Sequence, residues 1–279
     1  MPCVCTLSKL AHISPGEHIM KKNLVIETML SHKSIRRYTD EMPSKELIET
    51  IVRAGQQAPF ATQCYSVILS KDQKKNPYKA PLLFTICVDP HKFELIMAQR
   101  NWKMIMSDIG FMLLAIQDAA LMTQNMILAA RSLGLGSCLL GNAPNRADKI
   151  AEQYSLPDRV FPLVQLVVGF PAEDPPPRPR YPMEFTLFED KYPKLNGVAV
   201  KKAMKQMDEG YLAQDYYRRQ NAKISLEGNR KETHTYDTYS WTEHISRKLG
   251  QWMSDPKETL EQLEKRGFCL TGKKKRATK

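Results

Sequence analysis

Residues 109–130 are apolar on almost every side of a helical wheel, and no proline interrupts them. Good helix formers dominate this stretch. A helix with this pattern is either the centre of a sizeable domain or a membrane span. Four polar residues inside it would be costly in lipid: Gln117, Asp118, Gln124 and Asn125. The pattern therefore predicts a buried central helix of about 25 residues, which Gly134 caps at its C-terminus.

Shorter segments around this helix alternate between strand and helix patterns. Four apolar runs predict strands at residues 65–70, 81–89, 135–140 and 161–170. Residues 81–89 are apolar almost throughout, which indicates a central strand. Helical patterns occupy residues 23–31, 44–55 and 145–154, and residues 90–106 could form a helix or a flap. This order of elements predicts an α/β or α+β sandwich.

The chain changes character after a proline-rich connector, residues 171–182, which we expect to be extended. Ala203, Met207 and Tyr211 have helical spacing, and residues 240–243 (SWTE) read as a capping box that opens a helix carrying Trp252. Another helix is predicted from residue 256 to Gly267. We therefore divide the chain into an N-terminal extension (1–22), a main domain (23–195), a helical C-terminal extension (196–267) and a basic, flexible tail (268–279).

The composition is that of a soluble globular protein with an uneven positive charge. The formal net charge is +11, and the run from Lys273 to Arg276 contributes four of these charges. Such a run is usually a solvated end, so the sequence does not favour nucleic acid as a partner. The six cysteines include no CxxC pair, which fits a reducing compartment and argues against a cysteine-ligated iron–sulfur cluster. We expect a cytoplasmic protein with no membrane segment and no signal peptide.

Three short segments are rich in groups that bind phosphate: residues 32–36, 134–137 and 178–180. Arginine and lysine side chains neutralise phosphate charge through short, charge-assisted hydrogen bonds. No nucleophile, acid–base or metal-ligand motif accompanies them, and the histidines show no paired metal spacing. If the protein is an enzyme, a bound cofactor is therefore expected to carry the chemistry, with no catalytic side chain and no metal.

These segments, in this order, resemble the FMN-dependent nitroreductases. The resemblance rests on SHKSIRRYTDEMPSKELIETIVRAGQQAP, AARSLGLGSCLLG and VVGFPAEDPPPRPRYPMEF, and it extends from residue 25 to residue 192. It implies an α+β fold in which helices flank a mixed sheet around a long buried central helix. It also implies an intertwined homodimer with an FMN at each of two interface sites, and we expect the C-terminal extension to pack on that dimer.

Carried over position by position, the resemblance implies that FMN is held by His32, Lys33, Ser34, Arg36, Pro59, Phe60, Ala61, Gln63, Gly134, Leu135, Gly136, Ser137, Arg178 and Arg180. The cationic residues would hold the phosphate and ribityl groups, and residues 59–66 would lie at the flavin ring. Two departures from the family pattern stand out. His32-Lys33 replaces the usual Arg-Arg, and Gln63 stands where an asparagine usually contacts the ring.

The function implied is that of an NAD(P)H oxidoreductase. Hydride would pass from NADH or NADPH through flavin N5 to a small acceptor, such as a nitroaromatic or a quinone, in a ping-pong reaction. One alternative is a flavin-dependent reductive dehalogenase, although no tyrosine lies between Tyr78 and Tyr154 to supply that branch's lid. A second is a non-catalytic protein that stores or senses FMN. A third is a globular domain whose basic tail binds anionic polymers.

Overall fold

The computed structural model describes residues 23–251 and 256–270. Its centre is a four-stranded sheet with the strand order β1-β2-β4-β3, in which all neighbours run antiparallel. The strands are β1 Tyr65–Ser70, β2 Leu82–Val88, β3 Gly136–Leu140 and β4 Phe161–Gly169. β2 is buried along its whole length, which confirms that its continuous apolar run forms a central strand.

Two details of the sheet differ from expectation. The resemblance implied a mixed sheet, whereas the one parallel pairing among the described residues is the isolated bridge between Ser34 and Ser137. The run at residues 135–140 was expected to be buried, but β3 lies at the sheet edge and its Leu139 is 48% exposed. An edge strand leaves backbone groups unpaired on its free side, and Ser34 covers part of that side.

Helices pack around the sheet and form the extension that follows it. Across the described residues they are α1 Leu24–Leu30, α2 Lys45–Gln56, α3 His91–Gln99, α4 Asp108–Ser132, α5 Ala147–Tyr154, α6 Gly197–Ala213, α7 Tyr216–Arg219, α8 Trp241–Gln251 and α9 Pro256–Lys265. The helices predicted before and after the central one are confirmed as α1, α2 and α5. α3 shows that part of residues 90–106 is helical.

The central helix α4 has the predicted length of 25 residues. The Ser107 side chain accepts a hydrogen bond from the backbone N–H of Gly110 at the N-terminus. Gly134 follows the C-terminus with a φ of +79°, a left-handed conformation that glycine adopts without strain. One face of α4 packs on α2 and the sheet in the main core, where Met122 and Met126 contact the cluster that contains Phe84 and Leu166.

The other face of α4 is open in a single chain. Ile109, Leu113, Ile116 and Leu121 are between 38% and 57% exposed. The helix is long and apolar enough to cross a membrane by length and composition alone, and half of its most apolar window is buried inside this one chain. Its buried half meets the sheet as a core helix does, and its exposed half is an apolar face that this chain leaves uncovered.

The C-terminal extension packs on its own chain in two separate places. α6, α7 and α8 enclose an aromatic cluster that includes Met207, Tyr211, Tyr217 and Tyr239. α9 instead joins the main domain, where Leu263 and Phe268 pack with Phe111 and Phe161. Phe268 is only 2% exposed, so the packed chain continues beyond residue 267, where the sequence suggested that a flexible tail begins. Residues 1–22 and 271–279 lie outside the described residues.

The capping box predicted at residues 240–243 does not form as expected, although α8 does start there. The Ser240 hydroxyl donates to the backbone carbonyl of Asp208 at 2.9 Å, and the Glu243 carboxylate accepts from Arg247 at 2.7 Å. The carboxylate of Asp208 caps the first turn of α8 instead. It accepts hydrogen bonds from the Thr242 backbone N–H at 2.8 Å and from the Thr242 hydroxyl at 2.6 Å. A carboxylate at a helix N-terminus is favourable, so α6 caps α8. Trp252 lies outside the described residues.

The basic segment that precedes α2, residues 32–39, lies between β3 and the residues that follow β4. Ile35 N–H donates to the Ser137 carbonyl at 2.9 Å, and Thr39 N–H donates to the Phe170 carbonyl at 3.0 Å. Gly136 permits this close approach, because a Cβ added there would lie 2.6 Å from Cγ1 of Ile35. The phosphate-binding candidates at residues 32–36 are therefore fixed to the sheet by backbone contacts.

We predict that Gly136→Ala destabilises the fold by about 1–3 kcal/mol, because the new methyl group overlaps the buried Ile35 side chain. Urea unfolding followed by far-ultraviolet circular dichroism measures the effect. Gly141→Ala is the matched control, since a Cβ there meets no heavy atom within 4 Å, and its effect should stay within about 0.5 kcal/mol. Equal unfolding midpoints for the two variants would contradict the packing described for Ile35.

Candidate functional site

Acidic side chains from the start of the connector hold the basic segment in place. Oε1 of Glu173 accepts from the backbone N–H groups of Arg36 at 2.5 Å and of Arg37 at 3.2 Å. The Lys33 ammonium group forms an ion pair with Asp174. Oε2 of Glu173 lies 3.9 Å from Nε of Arg37, so Glu173 is bound by this arginine and by the backbone of the basic segment.

The extension positions the arginines of the connector. Gly210 of α6 lies against Pro179, and a Cβ added there would be 2.7 Å from the proline ring. Two glutamines of the extension donate to connector carbonyls at 2.9 Å, Gln206 to Arg180 and Gln214 to Pro177. A proline-rich strand has few backbone hydrogen bonds of its own, so these contacts define its path.

Arg36 and Arg178 meet at one cleft although 142 positions separate them in the chain. The cleft has a volume of about 150 Å³, and its walls also include Arg37, Glu173, Asp174, Tyr216 and Arg219. The Arg178 guanidinium lies 3.3 Å from the centre of the Tyr216 ring, which is a close cation–π contact. Burial lowers the pKa of Arg178; the phenol of Tyr216 opposes that shift, and the neighbouring Arg36 cation adds to it.

A second cationic group forms around His32. Burial lowers the pKa of His32, and the nearby Arg131 and Arg180 cations lower it further. Arg131 comes from the last turn of α4 and donates to the Ser31 hydroxyl at 2.7 Å. Arg180 also folds back on its own segment and donates to the carbonyls of Arg178 and Pro179. The predicted cations are thus divided, with Arg178 beside Arg36 and Arg180 beside His32.

The glycine-rich segment after α4 lies directly against the basic segment. Gly136 and Ser137 begin β3, and Ser137 is paired with Ser34 by the parallel bridge. Leu135 is buried in the main core, while Gly134 is exposed. Two of the three segments that sequence reasoning singled out are therefore neighbours through backbone contacts, and the third reaches them through its arginine side chains.

The loop at residues 59–63 is mostly exposed, and the side chain of Phe60 is 55% accessible. Asp118, from the middle of α4, holds this loop by accepting the backbone N–H groups of Ala61, Thr62 and the adjacent Cys64. Asp118 and Arg131 are thirteen residues apart on one helix, so their positions differ by on the order of 20 Å along its axis. The loop bound by Asp118 and the cationic group that includes Arg131 therefore lie at two separate levels of α4.

Sequence reasoning missed Asp118, Arg131 and Tyr216. Asp118 was noted only as a polar interruption of an apolar helix, yet an ionisable residue at such a position is seldom buried without a partner. A charged residue inside the apolar pattern of α4 could therefore have identified Asp118 as a candidate site residue. The contact of Tyr216 with Arg178 carries no comparable signal, because no local pattern connects Tyr216 with an arginine 38 positions away in the chain.

Comparisons with known proteins place this chain in a family. The sequence model of the nitroreductase family matches residues 68–170. An FMN reductase (NADPH) of Bacillus subtilis is 33% identical over 227 residues, which cover 76% of this chain and 88% of that protein. The chain therefore belongs to the nitroreductase family, which confirms the resemblance seen in the sequence.

Other relatives match nearly along their whole length. An oxygen-insensitive NADPH nitroreductase of Salmonella typhimurium is 28% identical over 258 residues, covering 88% of this chain and 98% of that protein. The solved structure of NfrA2 from B. megaterium has a TM-score of 0.76 at 26% identity and covers 88% of this chain and 98% of its own. NfrA1 from B. megaterium has a TM-score of 0.74 at 30% identity, with coverage of 88% and 99%. These similarities confirm the α+β fold.

We predict that Arg180→Ala raises the pKa of His32 toward its ordinary value, because a cation that disfavours the charged imidazole is removed. NMR titration of the His32 ring protons, assigned with His32→Gln, measures this shift. Arg178→Ala should leave the pKa of His32 in place, since Arg178 faces Arg36 and Tyr216. The division into two cationic groups would be wrong if both variants moved the titration equally.

Proposed function

We propose that this protein is an FMN-dependent NAD(P)H oxidoreductase. Its membership of the nitroreductase family supports this proposal, and so do the names of relatives, which are an NADPH-dependent FMN reductase and an NADPH nitroreductase. Both names favour NADPH as the electron donor. We further propose that small nitroaromatic or quinone acceptors receive the electrons, and that donor and acceptor would use the same site in turn.

The observation that carries the proposal is the meeting of Arg36 and Arg178 at one cleft. The two guanidinium groups are suited to a phosphate monoester, and Lys33 is held at the cleft by its ion pair with Asp174, while Glu173 is bound to backbone N–H groups. Lys33 and Ser34 come from the segment that the sheet edge holds, and Arg178 from the connector that the extension holds. Arg180 would add to the positive field beside them, while the lowered pKa of His32 favours its neutral form. The chemistry of these donors fits the phosphate end of FMN.

The remaining residues of the proposed site have positioning roles. Gly134 to Ser137 would offer backbone close to the cofactor, and residues 59–63 would bound the ring end. Bound FMN would supply hydride acceptance and delivery. The protein's own part would be to bind, orient and exclude water, so no side chain needs to act as an obligatory acid or base. We also propose a cytoplasmic location, in line with a reducing compartment for the buried cysteines.

We predict that the purified protein takes up FMN and oxidises NADPH, and that Arg178→Ala weakens FMN binding by roughly 1.5–3 kcal/mol, tenfold or more. Removing a charge-assisted contact to the phosphate is the reason. Fluorescence titration of FMN measures the affinity. Arg53→Ala, which removes an exposed arginine of α2, is the control and should bind like the parent protein.

FMN uptake, NADPH oxidation and the affinity of Arg178→Ala together distinguish the enzyme, the storage protein and an error in the phosphate assignment. A protein that neither contains FMN nor takes it up would overturn the proposed function. A yellow protein that does not oxidise NADPH would support FMN storage instead. Unchanged affinity in Arg178→Ala, with a flavin-loaded parent, would overturn only the phosphate assignment.

We also propose that two chains form a homodimer through the exposed face of α4 together with α1. The helix α1 buries none of its residues in a single chain, and Leu24 and Leu30 are 73% and 63% exposed. Apolar helix faces of this extent are typical of obligate interfaces, which commonly bury over about 2,000 Å². The extension packs on its own chain, and a further contact between the extension and the partner stays a prediction.

We predict that Leu113→Glu shifts the protein toward the 32.0 kDa mass of a single chain, because the mutation places a charge in an apolar interface. Sedimentation velocity measures the mass, and flavin absorbance recorded with it shows whether FMN is lost at the same time. Gln153→Glu, at an exposed position of α5, is the control for the added charge. A Leu113→Glu protein with the parent's mass would exclude this face as the interface.

A further inference from the structure

The carboxylate of Asp118 is buried at the centre of α4 and is bound entirely by one loop. It is 2% exposed, and it accepts hydrogen bonds from the backbone N–H groups of Ala61 at 2.7 Å, Thr62 at 2.9 Å and Cys64 at 3.1 Å. The Thr62 hydroxyl adds a fourth bond at 3.0 Å. Within residues 23–251 and 256–270, no cation lies at ion-pair distance from this carboxylate, so the loop alone compensates its burial.

These bonds leave the Gln63 N–H pointing away from Asp118, between two N–H groups that are bound to it. The N–H groups on both sides of it point to Asp118, and Gln63 itself has a φ of +56°. Its carbonyl accepts from the Tyr65 N–H at 2.8 Å. In the described part of the chain, no acceptor lies within hydrogen-bond distance of the Gln63 N–H. The residue is exposed, so both its peptide N–H and its carboxamide are available to a ligand.

The left-handed conformation of Gln63 has an energetic cost that Asp118 offsets. A non-glycine residue with positive φ is uncommon and is kept only where the surroundings fix it. Burial on its own would raise the pKa of Asp118, but the three backbone N–H donors outweigh it and the pKa lies below its ordinary value. The carboxylate is therefore charged at neutral pH and can accept all four bonds. Thr62 and Cys64 are the two anchors between which Gln63 is held.

We propose that Asp118 is a positioning residue for the flavin ring, acting through Gln63. The inference rests on the proposed function, because it takes FMN as the ligand. Asp118 fixes the Gln63 peptide before the cofactor arrives, so that its N–H donates to an acceptor atom at the ring edge without further ordering. Fixed donors of this kind need no reorganisation during reaction, which is how a preorganised site lowers a barrier.

The first test follows amide exchange, which does not depend on activity. In the parent protein without FMN, the amides of Ala61, Thr62 and Cys64 should exchange slowly and that of Gln63 quickly. Added FMN should then protect Gln63. In Asp118→Asn, which keeps the side-chain shape but has one acceptor oxygen, the three slow amides should exchange faster and FMN should protect Gln63 much less.

The second test uses a double-mutant cycle on the rate of flavin reduction by NADPH, measured by stopped flow with FMN saturating. Asp118→Asn should lower this rate constant roughly 10–100-fold, because a small misplacement at the reacting end is costly. FMN affinity should change far less, since the phosphate contacts lie at the other end of the site. In a Gln63→Gly background, where positive φ is unstrained, Asp118→Asn should have a much smaller effect.

Two controls separate positioning from stability. Ile51→Val removes one methylene from the core beneath α4 and should lower the melting temperature without changing the reduction rate. Thr123→Val removes a buried hydroxyl of the same helix, which donates to the Ala119 carbonyl at 2.6 Å and makes no bond to the loop, and it should stay close to the parent in both tests. Asp118→Asn with an unchanged reduction rate, or with equal effects in both Gln63 backgrounds, would overturn the inference.

Failure of the proposed function looks different. In that case the parent protein binds no FMN by absorbance, and Gln63 exchange does not respond to added FMN. If instead FMN binds and Gln63 stays unprotected in the parent, the proposed function survives and the positioning role of Asp118 is excluded.

Discussion

The packing of α4 across the sheet is the constraint on which the whole candidate site depends. This helix buries Met122 and Met126 in the core, and the same rigid element carries Asp118 toward the loop and Arg131 toward Ser31. A packed helix does not change its length. Asp118 and Arg131 therefore stay on the order of 20 Å apart along the helix axis, which is the rise of about thirteen residues. A ligand that spans this distance therefore meets groups whose separation is set by the core, and loop motion cannot alter it.

The C-terminal extension fixes the conformation of the proline-rich connector, which forms few backbone hydrogen bonds of its own. The connector carries Arg178 and Arg180 in a proline-rich strand, and a site built on such a strand would lack defined geometry unless other elements fixed it. α6 and α7 supply that support through the contacts of Gly210 with Pro179 and of Tyr216 with Arg178. The apolar and aromatic residues of α6 to α8 pack against the connector and against each other, whereas those of α9 pack on the main domain.

The sequence was informative where one segment determines its own structure. The length of α4, the glycine that follows its C-terminus and the central place of β2 all follow from local patterns. Local sequence patterns did not predict the contacts between distant segments. Asp118 lies 54 positions or more from the loop N–H groups it binds, and the residues around Asp118 give no indication that it binds this loop. The meeting of Arg36 with Arg178 was expected from family resemblance, but the separation of Arg180 toward His32 depends on how the connector turns over α6, which no short motif encodes.

The electrostatics of the cationic groups indicate a site prepared for an anion. Arg178 has a lowered pKa in part because Arg36 is near, so these two guanidinium charges are held together against repulsion. The lowered pKa of His32, beside Arg131 and Arg180, favours its neutral form instead. The Lys33–Asp174 pair is weakly held, because the aspartate side chain is 87% exposed and exposed pairs contribute only about 0–1 kcal/mol. Glu173 differs, since its carboxylate is bound by two backbone N–H groups. A phosphate could therefore displace Asp174 from Lys33 at little cost and relieve the repulsion between the guanidinium groups, while Glu173 keeps the basic segment in place.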